Sequence, residues 1–297
     1  MIKHGILVFL AILGGHAAAQ VKKQFSVESN ESCQSVKLQL KSKTGNCFIR
    51  STQNSELLAV YSNQNLEEYN HNFSNEVKDK VCQVKLALEQ EAPQGVGKSI
   101  SYQVFGRSER PSDKFWKVYL TESLPYFLEL EYGLGNANID LSGLSVQKLK
   151  IKTASADVNI NYASGLENKV SMDTFYVKVD MGSVNAKQLN LSRAKVVMAD
   201  VGFGNMLLDF GLKPANTQRV VGSVGAGNLT IQLPNEETPV VVTINESWLC
   251  SINLCKSLKK VGENKFANAA YAKNPKDALA FDLDVSMGKI VFKEGRQ

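Results

Sequence analysis

Small residues at Gly135, Ala156, Gly182, Gly204, Gly227 and Gly288 each separate two runs in which every second residue is mostly apolar, and the apolar parity changes across them. Ahead of the small residue stand Leu128, Leu130, Tyr132 and Leu134, then Val197, Ala199, Val201 and Phe203, then Phe281, Leu283, Val285 and Met287. Behind it stand Ala137, Ile139 and Leu141, then Val158, Ile160 and Tyr162, then Met206, Leu208 and Phe210, then Leu229, Ile231 and Leu233. A strand points alternate side chains to opposite faces, so one straight strand cannot bury both sets. The chain must turn at each small residue, and each unit is a strand, a corner and a strand. Glycine at the corner tolerates a positive φ and close packing. Asn136, Asp157, Ser183, Asn205 and Asn228, the next residues, can bond locally to backbone.

The first four corner spacings, 21, 26, 22 and 23 residues, have the period of a solenoid. A single coil is too thin to bury its inward face, so the expected fold is all-β, a β-solenoid of stacked coils with short strands turning at Gly/Ala-Asx corners. Its core columns are Ala137, Val158, Val184, Met206 and Leu229, and beside them Ile139, Ile160, Ala186, Leu208 and Ile231. A charge in either column should unfold the neighbouring coils. Asn138, Asn159 and Asn185 fall at one outward position, as an amide ladder requires. The last spacing is 61, so Cys255 to Ala280 is expected to hold a poorly marked coil plus an insertion. Residues 20–127 are less regular. Around Gly45 the pattern recurs, with Leu38 and Leu40 before the corner and Cys47 and Ile49 after it, whereas Asn54 to Lys80 and Gly106 to Asp113 read as loops.

The run from Leu128 to Phe292, with GLGNANIDLSGL, KIKTASADVNINY, VVGSVGAGNLTIQLP and FDLDVSMGKIVF, resembles the bacterial toast-rack β-solenoid families. Those are described as adhesin-like cell-surface domains and also occur in envelope-stress regulators. The resemblance implies an exported envelope or surface protein and brings no catalytic residues with it. The long N-terminal half and the cysteines depart from the typical repeat.

Lys3, the apolar run Ile6 to Leu13 and Ala17-Ala18-Ala19 have the layout of a secretory leader cleaved before Gln20. The expected organisation is a leader over 1–19, an irregular β region over 20–127 and the solenoid over 128–297. Loss of Lys3 lowers the net charge from +5 to +4, with basic and acidic residues alternating, so the concentrated basic patch of a nucleic-acid binder is missing. No stretch after the leader reaches the ~18 apolar residues of a spanning helix. Cys33, Cys47, Cys82, Cys250 and Cys255 face an oxidising compartment, where at least one disulfide and one leftover thiol are expected. Cys33 with Cys82 is the favoured pair. Cys250 with Cys255 would need a turn between them, and Cys47 points inward as the expected free thiol.

Ala92-Pro-Gln-Gly-Val-Gly97-Lys98-Ser99 fits a loose phosphate-binding loop, but the following Ile100 to Phe105 alternates as a strand where that loop requires a helix. His71 is the one histidine of the processed chain and lies in a polar segment read as a loop, which leaves no base for a serine or cysteine nucleophile. Without C-x-x-C or tandem Gly-Gly-x-Gly-x-Asp, neither zinc nor calcium sites are indicated, and no cofactor is expected. Five N-x-S/T sequons, at Asn30, Asn72, Asn190, Asn228 and Asn245, matter only in a eukaryotic secretory route. The expectation is a non-enzymatic protein whose solenoid faces bind a protein or a cell-surface polymer, with self-association through an uncapped end as a further role. A polysaccharide-processing β-helix is the alternative; Asp180 and Asp200 beside Lys152 and Lys178 are the outward charges it would use.

Overall fold

A computed structural model describes residues 21–66, 69–90, 114–212 and 219–295. The leader 1–19, the loop-like motif 92–99 and the segment 106–113 lie outside the described residues. The two strands of each unit enter two different sheets. Pro125–Tyr132, Ser145–Thr153, Met172–Val179, Ala194–Val201, Arg219–Val224 and Leu279–Val285 lie side by side and parallel in a pre-corner sheet. Asn136–Asp140, Asp157–Asn161, Ser183–Ala186, Asn205–Asp209, Asn228–Gln232 and Lys289–Lys293 do the same in a post-corner sheet. Ala137, Val158, Val184, Met206 and Leu229 are direct partners on successive strands, as are Ile139, Ile160, Ala186, Leu208 and Ile231, and all are buried. Cys47 and Ile49 extend both columns by one coil. Inward residues of the two sheets form one hydrophobic cluster, which is how thin coils acquire a core.

Close approach, more than left-handed backbone, selects the corner residue. Gly135 and Gly45 take positive φ, 107° and 96°; at the later corners the demand is space. Each corner carbonyl accepts a hydrogen bond from the residue after the next coil's corner, as from Asn205 N to Gly182 O at 3.0 Å and from Asn228 N to Gly204 O at 2.9 Å. A Cβ on Gly204 or Gly227 would then stand 2.3 or 2.2 Å from the carbonyl oxygen of the preceding corner. The polar residues after the corner bridge coils instead of closing their own turns. Asn136 Nδ2 donates to Asn46 Oδ1 at 3.0 Å, Asn228 Nδ2 to Asn205 Oδ1 at 2.8 Å, and the Ser183 hydroxyl to the Asp157 carboxylate. Two positions on, Asn185 donates to Asn159 at 3.2 Å.

Both ends of the stack depart from chain order. The coil of Ser35–Ser42 and Asn46–Thr52 lies between that of Pro125–Tyr132 and Asn136–Asp140 and that of Val81–Gln90 and Phe115–Thr121. At the other end, Leu279–Val285 and Lys289–Lys293 lie inside the coil of Val240–Glu246 and Ser251–Asn253. The poorly marked coil expected within Cys255 to Ala280 is therefore upstream of Cys255, where the corner carries Trp248, Leu249 and Cys250 in place of a glycine. Residues after Cys255 form the antiparallel strands Lys259–Gly262 and Lys265–Ala267 and a short helix, Ala269–Lys273. The polar stretch expected as loops contributes two strands at the opposite end, Leu58–Ser62, antiparallel to Lys22–Val27 and Phe115–Thr121, and Tyr69–Lys78, antiparallel to Val81–Gln90. His71 thus lies on an edge strand, where polar residues are tolerated because few side chains need burying.

The disulfide joins Cys33 to Cys82, with a Cα separation of 5.6 Å, and fastens the first coil to the outer strand that displaces it from the end. Closing a 49-residue separation contributes about 4 kcal/mol on the chain-entropy model. Asn168 and Asn268, which no sequence pattern marked, are buried with their amides satisfied. Asn168 pairs with both backbone groups of Val146 at 2.7 Å, and Asn268 accepts from Val240 N at 3.0 Å and donates to Thr238 O at 2.7 Å.

Gly204→Ala should lower stability by about 1–3 kcal/mol in urea unfolding, the cost of forcing a methyl into a filled site; an unchanged midpoint would show that the corner column has slack. The Cys33→Ser/Cys82→Ser pair should cost about 2–5 kcal/mol in the same assay.

Candidate binding surface

The pre-corner strands bury their last inward residue at Tyr132, Val201 and Val285, three positions before the corner. The sequence pattern continues to Leu134, Phe203 and Met287, which were expected to point inward. The bend begins sooner than the alternation suggests and rotates them to solvent, where they are 60%, 74% and 59% exposed. Met181, at the same position of its coil, is 66% exposed. In the outermost coil the corner is one residue longer: Glu246 aligns with Val285 and Ser251 with Lys289, leaving four residues where the neighbour has three. Both Trp248 and Leu249 fit there, 90% and 50% exposed.

Because successive coils are in register, Met181, Phe203, Ala226, Met287 and the Trp248–Leu249 pair stand in line as a crest along the edge between the two sheets, with the half-buried Ala226 between Phe203 and Met287. Leu134 lies on the same line, separated from Met181 by Ser155. From Phe203 onward the flanking positions are Gly202, Gly225 and Ser286 on one side and Asn205, Asn228 and Lys289 on the other. The carboxylates of Asp200, Glu246 and Asp284 stand on the strands before the bend.

The flat outer face of the pre-corner sheet carries the charges singled out in the sequence. Lys152 faces Glu131 at 4.0 Å, and Lys178 faces Asp180 at 3.6 Å and Asp200 at 3.9 Å. They are spread over adjacent strands as exposed pairs of small energetic weight. Gln39, Lys41, Asn72, Ser74, Lys85, Glu129 and Glu131 line a shallow groove of about 480 Å³. Burial opposes the charge on Glu129, but the hydrogen bond from Gln39 and the charges of Lys37 and Lys150 outweigh it and hold the carboxyl below its usual range. A second cleft, of about 630 Å³, lies beside the disulfide between residues 26–32 and Asn75–Val77. Among the described residues no cluster of His, Cys, Asp and Glu could hold a metal ion. No described helix is long and apolar enough to cross a membrane.

The corner residues Gly135, Ala156, Gly182, Gly204, Gly227 and Gly288 line up beside the crest, whereas the disulfide lies at the far end of the stack. Three cysteines are free: Cys47 is buried, and Cys250 and Cys255 are half-buried with the strand Ser251–Asn253 between them. Burial pushes the Cys47 thiol up to about 12, against the hydrogen bond from the Tyr132 hydroxyl. The Cys255 thiol is also raised, chiefly by burial.

With this geometry the chain matches, over residues 16–183, the family described as the N-terminal domain of toast_rack, DUF2154, and it belongs to that family. The match takes in the irregular N-terminal half, which the corner pattern had set apart from the repeat. Among solved structures, a candidate cell adhesion protein of Clostridium sporogenes ATCC 15579 is 19% identical, with a TM-score of 0.45 and coverage of 93% of this chain and 100% of that one. A candidate lipid binding protein of Parabacteroides distasonis ATCC 8503 is 8% identical, with a TM-score of 0.29 and coverage of 92% and 96%. No curated protein matches.

Thiol reagents should label Cys250 and Cys255 in the native protein at pH 8 and reach Cys47 only on unfolding; native labelling of all three would contradict the burial of Cys47. Since the Cys47 thiol is raised from 9.0 to about 12 in the folded state, its contribution to stability is present below about pH 9 and fades as pH rises towards 12.

Proposed function

We propose that this chain is an exported, non-enzymatic envelope or cell-surface protein that binds another macromolecule through the exterior of its solenoid, in an adhesin-like or scaffolding role. The observation that carries the reading is the exposed apolar crest. Soluble exteriors scatter large apolar residues singly, and a contiguous row with a polar rim marks an interaction surface. The stacked coils hold that row on one edge, so its positions are aligned before any partner arrives. The leader-like first residues and the Cys33–Cys82 disulfide support export.

The polysaccharide-processing alternative draws no comparable support. Glycoside hydrolysis uses one carboxyl held protonated by a raised pKa. Among the described residues the shifted carboxyls go the other way: a hydrogen bond from Lys169 lowers Glu122, and Ser257 lowers Glu294 against its burial, as Gln39 and Lys37 do for Glu129.

Retention of the processed protein on bacterial envelope fractions tests the reading. The Phe203→Ser/Met287→Ser pair should reduce retention at least tenfold with an unchanged circular dichroism spectrum. Equal retention of the folded variant would sink the crest as a binding surface.

A further inference from the structure

We infer that the crest from Met181 to Trp248 docks on a lipid surface, its side chains entering the headgroup boundary while the solenoid lies along the membrane plane. This rests on the binding role proposed above and names the partner. Three observations point to lipid in preference to a protein or a glycan.

The first is shape. The crest stands on a convex edge from which both sheets fall away, and it extends about 20 Å over four coil spacings. A rigid protein surface of standard interface size needs a broad complementary area, whereas a fluid interface closes around each side chain separately.

The second is composition. Trp248 is suited to the bilayer interface, and Met181, Met287, Leu249 and Phe203 add flexible apolar bulk. A sugar-binding platform would require flat aromatic faces at successive positions; two thioethers and an aliphatic chain do not supply them.

The third is charge. The flanks from Phe203 onward are glycine, serine and asparagine with one cation, Lys289, beside the crest. Amide and hydroxyl donors with a lysine complement lipid phosphates. The carboxylates of Asp200 and Asp284 stay back on the sheet face, where Asn245 donates to Asp284 at 2.8 Å and Lys178 offsets Asp200; Asp180, beside Met181, is the one carboxylate at the crest and faces Lys178 at 3.6 Å.

Vesicles of phosphatidylcholine, alone or mixed with phosphatidylglycerol, provide the test. The processed protein should sediment with both, more with the anionic mixture, and Phe203→Ser/Met287→Ser should weaken partitioning about tenfold or more, as expected for losing two buried apolar side chains. The chain has two tryptophans; Trp116 is buried and Trp248 is open to solvent. Emission should therefore shift to the blue on adding vesicles and be quenched by brominated acyl chains, in wild type but not in Trp248→Ser. Absence of sedimentation, or sedimentation that survives the crest variants through the sheet lysines, would overturn the lipid assignment. If retention on delipidated wall material still required the crest while vesicles did not bind, the lipid assignment would fail and the binding role would stand.

Discussion

The corner carbonyl is the contact on which the other features depend. It accepts the N–H that follows the next corner, and this places adjacent coils too close for a Cβ at most positions. From that one approach come the repeated glycines, the in-register pairing of both sheets and the vertical alignment of every other side chain. Apolar residues then stack on apolar residues inside, and amides meet amides outside, because the hydrogen-bonded ladder fixes the spacing for both. A slip of one residue would reverse the faces of a whole strand, so the corner also protects the register.

The same alignment explains what could be read from the amino acids alone. Ala137 to Leu229 and Ile139 to Ile231 were recognisable as columns because their alternation and period agree, and no single helix or straight strand satisfies both. Leu134, Phe203 and Met287 were misplaced for an equally physical reason: alternation reports a strand only while the backbone stays extended, and the bend starts before the glycine. The outer coil at Val240–Glu246 is hidden because its corner lacks the small residue and spacing of the others. Its corner is one residue longer than its neighbour's, and Cys250 precedes the strand where the other corners carry glycine or alanine. Edge strands such as Tyr69–Lys78 were hidden by their polarity, and Asn168 and Asn268 act through buried amides that have no periodicity.

The crest differs from the rest of the surface in kind. Elsewhere exposed large apolar residues such as Val77, Leu166 and Val261 are not aligned on successive coils, and the outer face of the pre-corner sheet carries lysines, glutamates and aspartates that discourage sideways pairing. At the corner, neutral small residues give way to methionine, phenylalanine, leucine and tryptophan without benefit to the core. These side chains contribute little to the fold, and their exposure makes sense as a binding device whose geometry is inherited from the coil spacing.

The exchanged order of the last coils has a kinetic side. Val240–Glu246 does not pair with the coil that precedes it in the chain; its parallel neighbour is Leu279–Val285, which is delivered later. A chain threaded from N to C across a membrane would therefore carry a waiting outer coil until residues 279–293 emerge to occupy the gap. Closure of the stack becomes a single late event in place of a steady propagation from repeat to repeat. Once seated, Lys289–Lys293 has a strand on either side, so loosening of this end must start with the outer coil.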